Sequence, residues 1–105
     1  MSELPETYQR VQKQYPEVMK HYEALGAAVG KAGPLDAKTI ALVKLAMCFG
    51  AGLEGAAHSA VRKGLDAGCS PDELRHAAIL AVTTLGFPSM ARARAWVEDV
   101  LSKPA

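Results

Sequence analysis

Ser70-Pro71-Asp72-Glu73 writes a helix start into this chain. A serine three residues ahead of a glutamate caps the first free backbone N–H groups reciprocally, and proline at the first helical position loses no bond because its N–H would have no partner there. Other breakers divide the chain in the same way. The residue before a proline avoids helical geometry, so Tyr15-Pro16 separates a first helix, Pro5 to Gln14, from a second running to about Val29. Gly30, Gly33 and Pro34 end the second, and Asp36 caps a third through TIALVKLAMCFG. Gly50 and Gly52 interrupt that helix before a fourth, about Leu53 to Ala67, which Gly68 closes. The capped helix is expected to reach Leu85, and Gly86-Phe87-Pro88 separates it from a last one, Pro88 to about Leu101.

No stretch alternates apolar and polar residues long enough for a half-buried strand. Half of the residues are hydrophobic but only 6% are aromatic, and alanine is abundant, which suits closely packed helices. The expected class is all-α: one domain over residues 1–105, a small bundle of about five or six helices, with N-terminal helices in 1–34 and the core in 35–101. The third helix and the AAILAV segment are apolar on nearly every side, which is hard to bury in a 105-residue monomer. A homo-oligomer follows, with a small-molecule site that two chains can line.

Charge and targeting features narrow the function. Twelve basic residues against eleven acidic ones, scattered along the chain, give no nucleic-acid footprint. The longest apolar run, Ile40 to Leu53, is interrupted by Lys44 and too short to span a bilayer, and MSELPETYQR lacks the order of a signal peptide, so a cytoplasmic protein is expected. Cys48 and Cys69 have neither metal-ligand nor CxxC spacing. No metal and no cofactor are expected.

Glu54 and His58 are the candidate catalytic pair. At i and i+4 they share one helix face. On a wheel of about 100° per residue, Glu54 falls in the apolar sector between Val61 and Leu65, with His58 at its edge. A carboxylate aimed at a core needs a partner, and such sites are enriched in function; the bland alternative is a solvent-facing glutamate complementing the helix dipole. Other residues have a sharp and a bland reading. Lys44 is an imine-forming amine or a stem reaching water. Cys48 is a reactive thiol or a small buried hydrophobe. His76 is a site residue or a half-exposed histidine near Asp72. Arg92 and Arg94 are an anion clamp or surface charges, with Trp96 one turn from Arg92.

From Leu35 to Leu101, LDAKTIALVKLAMCFGAG, LEGAAHSAVRKGLDAG and SPDELRHAAILAVTTLGFPSM resemble, in this order, the carboxymuconolactone decarboxylase family, which also contains the AhpD-type alkylhydroperoxidases. The resemblance implies a small helical bundle assembling into trimers or hexamers. AhpD-type members carry CxxCxxxH; here the histidine is His58, but the cysteine positions hold Ala51 and Glu54, and the acidic relay position falls near Thr39 or Ala41. Without sulfur that peroxidase mechanism has no nucleophile, which leaves Cys48 as the possible thiol. Decarboxylase-type members resemble this chain in having Glu, three residues, then His, so the pair carries over as Glu54 and His58. The segment between Thr39 and Glu54 is about two residues shorter than in those members.

The implied chemistry is cofactor-independent decarboxylation, or a related lyase or isomerase reaction, of a small carboxylated lactone. The lactone carbonyl takes up the electrons, His58 returns a proton to carbon, and Glu54 holds the imidazole tautomer. Lys44, Arg62, Arg92 and Arg94 are the cations available for a substrate carboxylate. The alternatives are a Cys48-dependent antioxidant protein and a non-catalytic helical oligomer in which Glu54 and His58 form a structural pair.

Overall fold

The computed structural model describes residues 5–103. Helices α1 (Glu6–Gln14), α2 (Pro16–Gly30), α3 (Ala37–Ala51), α4 (Glu54–Asp66), α5 (Pro71–Ile79) and α6 (Phe87–Leu101) follow one another, with a 3₁₀ turn at Leu80–Thr83 after α5 and no strand among the described residues. The chain divides into two compact units, one ending at Leu35 and the other beginning at Asp36.

In the first unit, Pro16 opens α2 directly behind α1. Met19 is buried, while Val18, Tyr22, Leu25 and Val29, one stripe of α2, are exposed.

The second unit is punctuated by the caps its sequence encodes. Asp36 Oδ1 accepts from Thr39 N at 2.8 Å, and Ser70 and Glu73 exchange side-chain and backbone bonds at 3.1 and 2.8 Å. Gly50 does not interrupt α3, as the sequence suggested; the helix runs through it to Ala51, and Gly52 stops it with φ +70°. The Leu53 N–H reaches back to the Cys48 carbonyl, as a left-handed helix end allows. The capped helix also ends earlier than expected. After Ile79 it tightens into the 3₁₀ turn common at helix ends, and Gly86 at φ +96° redirects the chain.

The core of this unit joins Leu45 and Phe49 of α3, Ala57, Ala60 and Val61 of α4, Leu74 and Ala78 of α5, and Ala93, Trp96 and Val97 of α6. Burying one such Leu or Val fully is worth about 1.5–3 kcal/mol. Small residues bring the helices close: a β-carbon on Gly64 would sit 2.7 Å from Leu74 Cδ2. The all-round apolar segments are covered on one side only within a single chain. Met47 on α3 is 66% exposed and Leu80 is 60% exposed. Among the described residues no helix is long and apolar enough to cross a membrane.

Candidate active site

The α3–α4 junction and α6 build the site together. Gly52 is favoured as glycine by its positive φ, and the Arg92 guanidinium packs close over it, where a β-carbon would come within 3.3 Å of Nη2. Arg92 also stacks on Trp96, 5.0 Å from the ring centroid. Arg92, Trp96 and Asp99 stand at i, i+4 and i+7, one stripe of α6. This stripe meets α4 along its first turns, with Arg92 at Gly52 and Asp99 at His58.

His58 Nε2 lies 3.0 Å from Asp99 Oδ2. An ionised carboxylate only accepts, so Nε2 carries the hydrogen and donates it, leaving Nδ1 as the open nitrogen. The imidazole side chain is 25% exposed and the Asp99 side chain 51%. One donor atom from each of Glu54, His58 and Asp99 lies within 4.8 Å of the others. Among the described residues neither carboxylate is paired with a lysine or arginine. This trio can hold a protonated imidazole between two carboxylates, or grip a small divalent cation.

The structure corrects two expectations for Glu54. It is exposed, not turned into the core: it is the first residue of α4, whose first buried residue is Ala57. Asp99, not Glu54, makes the hydrogen bond to His58. Periodicity along one helix could not find Asp99, 41 residues away; the available signal was its place on the Arg92–Trp96 stripe.

The four candidate cations separate by partner. Arg94 donates to Glu98 at 3.1 Å, and Glu98 also takes Arg75 at 2.6 Å. Arg62 contacts Ser59 Oγ at 3.4 Å. Lys44 is exposed on α3. Arg92 lies against Gly52, which precedes Glu54 by two residues, and among the described residues it has no carboxylate partner. Cys48 is half-buried, and burial pushes its thiol up from the ordinary 9.0 despite the opposing charge of Lys63. Cys69 is buried and raised by the same cause.

His76 is exposed on α5 and lines a separate apolar groove together with α3 residues; neither Glu54 nor His58 lines it.

The profile described as "Carboxymuconolactone decarboxylase family" matches residues 16–99. A Haemophilus influenzae protein described as "Uncharacterized protein" is 41% identical over 46 residues, which cover 44% of this chain and 41% of that relative. The chain thus matches less than half the length of this relative. No solved structure matches the chain.

Proposed function

Since the chain belongs to the carboxymuconolactone decarboxylase family, we propose that it catalyses cofactor-independent decarboxylation, or a related lyase or isomerase reaction, of a small carboxylated lactone, with His58 as the proton-transferring residue. The carrying observation is the 3.0 Å bond that fixes His58 Nε2 on Asp99 and leaves Nδ1 free.

Each step has a group for it. Arg92, free of carboxylate partners and propped by Gly52 and Trp96, holds a substrate carboxylate by charge-assisted hydrogen bonds. The C–C bond to the departing carboxylate breaks, carbon dioxide leaves, and the electron pair moves through the conjugated system onto the lactone carbonyl oxygen as an enolate. Imidazolium Nδ1–H of His58 then protonates the enolate carbon and the carbonyl re-forms. An imidazole can both donate and take back a proton through one ring nitrogen, which suits both halves of this transfer. Asp99 orients the ring and stabilises its charged form, as the aspartate of a catalytic triad does. Glu54 adds a second carboxylate beside the imidazolium.

The thiol-peroxidase alternative fits less well. Burial raises both thiols, whereas the reactive species is the thiolate. The experiment is carbon dioxide release from a panel of carboxylated lactones, before and after dialysis against a chelator. Release that survives the chelator supports the reading. Loss on chelation with recovery on adding zinc or manganese would instead assign Glu54, His58 and Asp99 to a metal.

A further inference from the structure

The trio at the α4–α6 junction gathers more negative charge than its one histidine uses. Glu54 and His58 stand one turn apart at the start of α4, and Asp99 arrives from α6. One donor atom from each lies within 4.8 Å of the other two. Neither Glu54 nor Asp99 meets a lysine or arginine among the described residues, whereas Glu73 and Glu98 are each tied to a basic side chain. Two carboxylates converging on one imidazole repel each other unless a positive charge lies between them.

The donor set restricts which cation fits. Magnesium and calcium take oxygen ligands. An imidazole nitrogen with carboxylate oxygens suits zinc, whose open sites use three protein donors and leave the fourth position to water. Donors about 2.0–2.2 Å from one zinc ion stand about 3.4 Å apart at a tetrahedral angle. His58 Nε2 and Asp99 Oδ2, at 3.0 Å, already lie close to that spacing. Glu54 is exposed and unpaired, so rotation of its side chain supplies the third donor.

We propose that Glu54, His58 and Asp99 form an inhibitory zinc site. The inhibition rests on the proton-transfer reading of His58; the binding does not. Zinc bonds to Nε2, the atom that otherwise donates its hydrogen to Asp99. The displaced hydrogen moves to Nδ1 through water, and no electrons are transferred. With the Nε2 lone pair on the metal, the ring cannot take a second proton and become the imidazolium that protonates the enolate carbon. The same ion draws Asp99 away from orienting the ring. Zinc and proton compete for one nitrogen, and the loaded chain stays inactive until the ion leaves.

Zinc titration of the full chain, after dialysis against a chelator, tests this by calorimetry and by NMR of the histidine ring nitrogens. One zinc per chain should bind, and the Nε2 resonance of His58 should shift. Glu54→Gln and Asp99→Asn should each weaken binding about 10- to 100-fold, at least the cost of losing a metal's outer-shell partner. Cys48→Ser and His76→Ala should bind as the wild type does, and magnesium should not displace the zinc. Both altered carboxylates are exposed, so helical circular dichroism should be retained; if either variant loses it, the His58 shift in the wild-type chain decides. Bound zinc should suppress carbon dioxide release from a carboxylated lactone, and a chelator should restore it. No zinc binding, an unmoved His58 resonance, or affinity unchanged in both carboxylate variants would overturn the proposal and leave the decarboxylation reading standing. Zinc that binds at the trio but raises turnover would overturn the inhibition, and metal-free proton transfer by His58 with it. A chain that binds zinc there yet turns over no lactone would overturn the decarboxylation reading and the inhibition, while the zinc site stands.

Discussion

Asp99 reaches His58 from the far end of the chain: its Oδ2 sits 3.0 Å from the imidazole Nε2 across 41 residues of sequence. Such a pair at a half-open surface adds little to stability, so its value lies in orientation. Asp99→Asn keeps the size but removes the acceptor charge, and kcat should fall on the order of 10²- to 10⁴-fold, as when a catalytic histidine loses its aspartate. Residues acting as a unit are not additive, so His58→Ala with Asp99→Asn should be no slower than His58→Ala. Steady-state kinetics on the three variants, with thermal melts to show that the fold is kept, check this.

Arg92→Met should act on binding. The side chain is exposed and props nothing in the core beyond its stacking on Trp96, so the fold should persist. Losing a charge-assisted hydrogen bond costs about 1.5–3 kcal/mol, which is a rise in KM of about tenfold or more for a carboxylated substrate. The matching variants Arg94→Met and Arg62→Met should leave KM unchanged, since those guanidinium groups are engaged with Glu98 and Ser59.

How much of this was legible in the sequence follows from the range of each force. Caps act within three or four residues, so the Asp36 cap and the Ser70–Glu73 box were readable and are formed as read. Gly52 and Gly50 look alike in sequence, yet only Gly52 adopts positive φ and caps α3; composition alone does not say which of two glycines ends a helix. The wheel assigned Glu54 to an apolar sector, yet Glu54 is exposed: a wheel does not say where along its axis a helix begins to be covered. Asp99 was missed for the same reason: its partner is fixed by how α4 and α6 pack, which no single-helix period encodes.

Cys48→Ser should leave both peroxide consumption and lactone turnover at wild-type levels. Burial raises this thiol above its ordinary 9.0, so alkylation of the native chain by iodoacetamide should be slow at neutral pH and should quicken only as pH climbs past that value. Fast labelling at neutral pH, or loss of peroxide consumption in the serine variant, would return the chain to thiol chemistry.

Acid should loosen the second unit through two carboxylates. Arg75, then Arg94, hold Glu98 below its ordinary 4.5, and Ser70 N–H with Lys38 does the same for Glu73. A folded value below the unfolded one contributes stability that is fully present above 4.5 and is lost as pH falls through the depressed folded value. Thermal melts from about pH 7 to pH 3 should therefore show a flat upper region and a fall below 4.5. Glu98→Gln should lower the flat region and make the fall shallower.

The central claim, that His58 delivers the proton, is tested most directly by running the decarboxylation of a carboxylated lactone in D₂O and reading the product by NMR. The prediction is one deuterium on a single face of the protonated carbon with the wild-type chain, and turnover reduced by about 10²-fold or more in a folded His58→Ala variant. Turnover in His58→Ala close to wild type, or deuterium scattered over both faces in the wild-type product, would contradict it.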